Sequence, residues 1–239
     1  MELFITAGNT QTPIDRVRCI TNIFTGRTGA SIALEAYRRG HDVTLVTSHP
    51  EVLAGESFDA GRWRCLPYCT FDDLAERMAT GIAGSRIDAI VHCAAVSDYH
   101  SAGIFAPTPG TTFDAGIWRS NDAEPAMIDR AAGKIKSDEP ELWLRLVRAP
   151  KLIDKIRSEW SFAGILVKFK LEVGVSEAEL IRIAERSRGH STADWMVANT
   201  LEGAADWAYV GFGDSYRKVT RAELPGAVLN AIETRTRHG

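Results

Sequence analysis

Leu3 to Gly29 reads LFITAGNTQTPIDRVRCITNIFTGRTG, and the fold turns on this stretch. Leu3 to Thr6 has the pattern of a short buried strand, and it opens into a polar loop at Gly8-Asn9-Thr10. A helix beginning near Thr28 and carrying Ile32, Ala33, Leu34 and Ala36 closes the stretch. Strand, small-residue loop and helix N-terminus together make an anion site, because unpaired backbone N–H groups converge there. A dinucleotide fingerprint packs its glycines into one tight turn. Here Gly8 is separated from the Gly26/Gly29 pair by a segment holding Asp15, Arg16, Arg18 and Asn22. Such a loop has room to wrap a nucleotide and to carry reactive side chains beside it.

Outward from that stretch, helical periodicity runs to about Arg39 and stops at Gly40, a C-cap residue. Asp42 to Thr47 follows as a β-branched strand. Strand, helix, strand in this order predicts parallel pairing with a right-handed crossover. A short strand is expected near Trp63 to Leu66, and Thr70 with Asp73 makes a capping box for a helix to about Ala83. Ala89 to Ala95 is a continuous apolar run, the mark of a strand covered on both faces, and it leads straight into Val96-Ser97-Asp98-Tyr99. Ligands of open α/β sheets sit beyond the carboxyl ends of the strands, which puts Asp98 near Gly8 and Gly26 if the first and third strands are neighbours.

Residues 100–133 show no clear period and are rich in Gly, Pro, Thr and Asp. They read either as a mobile flap or as a partly ordered excursion with a helix near Glu124 to Ala132. Further on come a strand over Leu142 to Val147, a short helix after Pro150, and a buried strand from Gly164 to Phe169. A helix capped by Ser176 and Glu179 and a strand over Trp195 to Ala198 follow. Trp207 to Val210 and Tyr216 to Val219 are placed to form a hairpin before a last helix capped by Thr220 and Glu223. The fold class expected is α/β: a single doubly wound, mostly parallel Rossmann-like sheet with a long insertion and a small antiparallel C-terminal extension. One domain over residues 1–239 is expected, with no internal repeat and no linker.

Composition narrows the function. The net charge of −3 over 239 residues argues against a nucleic-acid binder, which usually carries a basic face, while leaving room for local positive charge at a nucleotide. Signal-peptide and membrane-spanning patterns are missing from the sequence, and the four scattered cysteines suit a reducing compartment, so a cytoplasmic protein without a membrane partner is expected. Cys65 and Cys69 could be half of a metal site, but no second Cys/His pair lies nearby. The six histidines lack metal-ligand spacing, and His92, inside the third strand, reads as a satisfied core residue.

Three segments, ITAGNTQTPID, VRCITN and FTGRTGASIALEAYRRGHDVTLVT, resemble the phosphopantothenoylcysteine synthetase (phosphopantothenate–cysteine ligase) family in order and spacing. AAVSDY, KIKS, KFKLE and VAN extend the resemblance over most of the chain. The resemblance implies an enzyme of coenzyme A biosynthesis. A nucleoside triphosphate activates the phosphopantothenate carboxylate as an acyl-nucleotidate and releases pyrophosphate; the cysteine amine then displaces the nucleoside monophosphate. It implies CTP in preference to ATP, Mg²⁺, a homodimer, and no flavin, the pathway's decarboxylase being a separate protein.

The resemblance also assigns residues. Gly8, Asn9, Thr10, Thr25, Gly26 and Arg27 would cradle the polyphosphate; read locally, they equally make an ordinary strand-to-helix loop. Asn22 matches the Asn that steadies the acyl-nucleotidate, a task suited to an amide because it donates without titrating, although a loop Asn commonly makes an Asx-turn. Arg18 matches an Arg linked to the second step and would otherwise be a surface residue. Asp98 matches a metal or ribose–phosphate contact, the other reading being a turn Asp. Ala94 and Ala95 match positions whose backbone reads the base, though small residues there also suit strand packing. Lys134 and Lys136 match the triphosphate lysines, with Ser137 where a third is common, and as plain sequence they read as a solvated strand face. Phe169 matches an aromatic that packs on the base, or is simply a core Phe. Thr200 stands where the family has Asp after Asn199. A further departure is the link from Asp98 to Lys134, longer than usual.

Two other readings compete. A nicotinamide-dependent short-chain reductase would share the strand–loop–helix, yet GxGxxG, an acidic end to the second strand and a Tyr-x-x-x-Lys pair are all missing from the sequence. A catalytically silent nucleotide-binding domain would follow if the insertion or Thr200 had broken the site.

Overall fold

The computed structural model describes residues 1–84, 86–121 and 124–236. In chain order the elements begin with β1 (Glu2–Ala7), β2 (Gln11–Pro13), β3 (Cys19–Thr21), α1 (Arg27–Arg38), β4 (Asp42–Thr47), β5 (Trp63–Pro67), α2 (Phe71–Gly84) and β6 (Ala89–His92). A run of strands follows: β7 (Tyr99–Pro107), β8 (Thr111–Asp114), β9 (Ile117–Ser120), β10 (Met127–Asp129) and β11 (Trp143–Arg148). The chain then continues through α3 (Leu152–Ser158), β12 (Ile165–Glu172), α4 (Glu177–His190), β13 (Trp195–Thr200), β14 (Trp207–Gly211), β15 (Arg217–Thr220) and α5 (Leu224–Thr236).

These elements form two compact units. The first comprises Met1–Thr10, Ile23–Val96 and the chain from Lys151 onward; the second comprises Gln11–Asn22 and Ser97–Pro150.

The first unit is an eight-stranded sheet in the order β15-β14-β13-β12-β6-β1-β4-β5. Its six strands from β13 to β5 are parallel, and β14 and β15 run antiparallel at one edge, as expected from the Trp207 and Tyr216 segments. β1 lies between β4 and β6, so the first and third strands of the predicted set are neighbours. Leu3, Ile5 and Ala7 alternate onto the face covered by α1 and α5, where they join Ile32, Leu45 and Val228 in the main core. Burying a Leu or Ile side chain there contributes about 1.5–3 kcal/mol. Phe4 takes the opposite face, against Gly81 of α2, whose added methyl would come 2.5 Å from the ring. Of the three expected helix starts, Thr70 with Asp73 and Thr220 with Glu223 form reciprocal capping boxes, and Ser176 caps α4 by accepting from the Glu179 N–H at 3.2 Å. No helix among the described residues is long and apolar enough to cross a membrane.

The second unit corrects the expectation for residues 100–133. The chain around Glu124 to Ala132 does not form a helix; Met127 to Asp129 is strand β10, antiparallel to β7, which pairs on its other side with β11. Thr111 to Ser120 is a separate hairpin of β8 and β9, carrying a Phe113–Trp118–Trp143 aromatic cluster with ring centroids 4.7–5.1 Å apart. The composition hid this because β7 and β11 pair over a long separation, Tyr99 opposite Arg148, and much of β11 is exposed. The predicted strand Leu142 to Val147 thus exists, but in this three-stranded sheet.

Candidate active site

Within the first unit the two glycine clusters meet. Gly8 (φ 88°) and Gly26 (φ 76°) are both in the left-handed region, where L side chains are strained. A methyl on Gly26 would lie 2.3 Å from the Gly8 nitrogen, and one on Gly29 would lie 2.6 Å from the Ala7 Cβ. Gly26 is also the N-cap of α1, which has no acidic residue in its first turn and no side chain capping it. An uncapped helix N-terminus with no acidic residue in its own first turn is electrostatically suited to an anion.

The loop after β1 is zipped to the loop after β6. The Ala95 N–H donates to the Gly8 carbonyl at 2.8 Å, and the Thr10 N–H donates to the Ala95 carbonyl at 3.3 Å. The Ala94 N–H donates to the Thr6 hydroxyl at 3.2 Å, and that hydroxyl also pairs with His92 Nδ1 at 3.0 Å. His92 is buried as expected; desolvation, with the neighbouring Lys168 charge, pushes its pKa down to about 4 and keeps it neutral. On the other side the Asn9 N–H donates to Ser48 Oγ at 2.8 Å, and Ser48 donates back to Asn9 Oδ1 at 3.2 Å. The buried Tyr68 hydroxyl donates to the Ala7 carbonyl at 2.9 Å.

Thr25 and Arg27 line an adjoining cleft of about 490 Å³ with Ala30, Leu34, Glu51 and Val52. Phe169 is half-buried and packs against the main core, and next to it Lys170 pairs with Glu172 at 2.9 Å. Thr200, where the family pattern has Asp, is buried and its hydroxyl accepts the Gly203 N–H at 3.2 Å, so it holds the turn after β13.

The remaining predicted residues belong to the second unit. Asp15 gathers that unit's polar loop: it accepts from the N–H groups of Val17 and Arg18 at 2.9 and 2.8 Å, and from the Ile135 N–H at 3.1 Å. Arg18 donates to the Asp15 carboxylate at 2.6 Å and to the Ile135 carbonyl at 3.0 Å. The Arg18 guanidinium, reinforced by those backbone donors, holds the Asp15 carboxyl far below the usual carboxylate range. Arg18 is therefore committed to a clip on the backbone between Lys134 and Lys136. Ile135 is buried and both lysines are exposed, so the two cationic ends flank an anchored residue. Asn22 is exposed just after β3, and Asp98 is exposed with its carbonyl accepting the Ala149 N–H at 2.8 Å. No group of three or more His, Cys, Asp or Glu able to hold a metal ion occurs among the described residues. Asp98 supplies a single carboxylate, too few for an all-protein magnesium cage.

Reasoning from sequence missed Ser48, Tyr68 and Thr6, and named Asp15 in the loop without its bonds to Arg18 and Ile135. The Asp15 turn had a local signal, since an Asp side chain commonly accepts from the backbone N–H two residues on, here Val17.

A parallel α/β sheet whose first and third strands open into a glycine-framed loop at a helix N-terminus defines a Rossmann-like protein built around an anion site. A family model described as the DNA/pantothenate metabolism flavoprotein C-terminal domain matches residues 1–106. The coenzyme A biosynthesis bifunctional protein CoaBC of Thermococcus kodakarensis is 32% identical over 237 residues, covering 97% of this chain and 50% of that protein. CoaBC of Escherichia coli K12 is 35% identical over 238 residues, with 96% and 50% covered. The chain thus spans about half the length of the curated relatives it matches. The crystal structure of the DNA/pantothenate metabolism flavoprotein from Streptococcus pneumoniae superposes with a TM-score of 0.78 at 25% identity, over 98% of this chain and 99% of that one. These likenesses support the phosphopantothenoylcysteine synthetase family.

Proposed function

We propose that this chain is a phosphopantothenate–cysteine ligase. The observation that carries the reading is the frame around Gly8: an uncapped start of α1 with no acidic residue in its first turn, packed through Gly26 on a loop held by the Ala95 zip and by Ser48. That frame suits a nucleoside triphosphate, which the first half-reaction consumes. The phosphopantothenate carboxylate attacks the α-phosphorus, pyrophosphate leaves, and an acyl-nucleotidate remains. The cysteine amine then attacks the acyl carbon, expels the nucleoside monophosphate and loses a proton. Neither step needs an oxidant or reductant, so flavin has no part in the ligation.

In this reading Gly8, Asn9, Thr10, Thr25, Gly26 and Arg27 hold the phosphates, and Ala94, Ala95 and Phe169 lie towards the base. Lys134 and Lys136 supply cationic charge, Asp98 meets a Mg²⁺ ion that arrives with the triphosphate, and Asn22 steadies the acyl-nucleotidate. Arg18, its charge already met by Asp15, acts by holding the Lys134–Lys136 segment. CTP is favoured over ATP, and the working form is a homodimer. The deciding assay is pyrophosphate release with Mg²⁺, phosphopantothenate and cysteine, comparing CTP with ATP and omitting each component in turn. Release that requires phosphopantothenate supports the ligase, and the preferred nucleotide follows from the same data. No release with either nucleotide from a folded protein sinks the reading and favours a silent binding domain.

A further inference from the structure

Ser48 stands at the first position after β4, where a parallel strand gives way to loop beyond the carboxyl edge of the sheet. Its hydroxyl is half of a two-point lock on a single residue, accepting the Asn9 backbone N–H at 2.8 Å and donating to the Asn9 side-chain oxygen at 3.2 Å. The second bond sets the orientation of the amide, with Oδ1 turned to Ser48 and the donor end turned away. Gly8 is shaped around the same hydroxyl, since a methyl there would come 2.2 Å from Ser48 Oγ. Tyr68, at the end of β5, is 7% exposed and fixes the preceding carbonyl, Ala7, at 2.9 Å. Two hydroxyls just past the next strands along the sheet thus hold Ala7, the last residue of β1, and Asn9, on either side of Gly8.

We infer that Ser48 and Tyr68 are positioning residues that hold the Ala7–Asn9 loop in its anion-binding conformation, and so set the affinity for the nucleotide's polyphosphate. The inference rests on the proposed nucleotide role of that loop. The Asn9 and Thr10 N–H groups are already donated to Ser48 and to the Ala95 carbonyl, so the donors for an anion are those at the uncapped start of α1, which packs on Gly8. A Gly8 loop that must be reordered on binding spends affinity on its own entropy. Neither hydroxyl needs to touch the ligand for this.

The test is titration calorimetry of CTP, ATP and inorganic pyrophosphate, with thermal melting as the control for folding, on the wild type, Ser48→Ala, Ser48→Thr and Tyr68→Phe. Ser48→Ala is expected to weaken both CTP and pyrophosphate binding by about tenfold, the worth of one lost lock. Ser48→Thr, which keeps the hydroxyl, is expected to restore most of it, and Tyr68→Phe to weaken binding in the same ligand order. In steady state the nucleotide KM should rise while the cysteine KM stays put, a split that general destabilisation does not produce. Wild-type binding of CTP with unchanged affinity in folded Ser48→Ala and Tyr68→Phe overturns the inference. A wild type that binds neither nucleotides nor pyrophosphate overturns the nucleotide reading itself, a distinct result.

Discussion

Gly26 packs directly on Gly8: a methyl added to Gly26 would stand 2.3 Å from the Gly8 nitrogen and 2.8 Å from its Cα. Two glycines far apart in sequence therefore make one structural feature of the first unit. The start of α1 can approach the end of β1 because Gly26 and Gly29 carry no Cβ: one on Gly29 would lie 2.6 Å from the Ala7 Cβ, whereas a Cβ on Gly8 would meet Ser48.

Gly26→Ala is expected to damage fold and site together. The clash is with backbone, which cannot swing aside, and φ 76° is itself unfavourable for alanine by about 1 kcal/mol. A denaturation midpoint lowered by a total of 2 kcal/mol or more, roughly the sum of strain and displaced packing, together with lost nucleotide binding, is the expected outcome. Gly55, also at positive φ but with nothing within 4 Å of an added Cβ, is the control: Gly55→Ala carries the backbone strain alone. Equal losses in both variants would show that the close approach is unimportant.

Asp15→Asn tests whether the clip on Ile135 matters to activity. The amide keeps the shape but removes the charge that Arg18 meets and cannot accept from as many donors. The Asp15 side chain is covered and accepts from three backbone N–H groups as well as from Arg18, so the melting temperature is expected to fall too, and kcat is compared on protein that is still folded. The expected change is in turnover: kcat falls by about tenfold as the Lys134–Lys136 segment loosens, a loss of roughly 1.4 kcal/mol in transition-state stabilisation. A variant with wild-type kcat would remove the clip from any functional account.

The eight-stranded sheet was legible because each of its strands carries its own signal, an apolar run or a β-branched alternation closed by Gly40 or a capping box. The small sheet was not: β7 pairs with β10 and β11 through backbone bonds, and side chains such as Tyr99 and Leu146 are exposed, so hydrophobic periodicity had little to report. The site divides in the same way. Gly8 and Gly26 announce themselves as glycines, whereas Ser48 and Tyr68 act 39 and 61 residues from their partners, a distance over which no local pattern operates. Arg18 was readable as a residue of interest, but its commitment to Asp15 and Ile135 required the folded loop.

His92 gives the fold a pH dependence. Its folded pKa of about 4 lies below the ordinary 6.5, so the unfolded chain binds the proton first. The stability that comes from keeping His92 neutral is complete above pH 6.5 and is lost progressively as pH falls from 6.5 towards 4. Lys168, packed beside it and itself held by Ser191 and the Ser187 carbonyl at 2.5 and 2.9 Å, adds a like charge that sharpens the penalty. Urea midpoints measured across that range should fall for the wild type and stay flatter for His92→Gln, which cannot protonate. Parallel curves for the two proteins would assign the acid sensitivity to another group.

Asn22→Ala separates the two halves of the proposed reaction. The first half needs charge at the triphosphate, which Lys134 and Lys136 are assigned to supply, so pyrophosphate should still be released in the variant. The second half passes through an anionic tetrahedral centre as the cysteine amine attacks, and an amide N–H donor aimed at that oxygen lowers its energy by about 2.7–4 kcal/mol. Without it, ligated product should form at least a hundredfold more slowly while acyl-nucleotidate accumulates on the protein, where acid quenching and mass spectrometry would detect it. Pyrophosphate release in step with full product formation would strip Asn22 of this role. Loss of both would move it to the first half-reaction, beside the lysines.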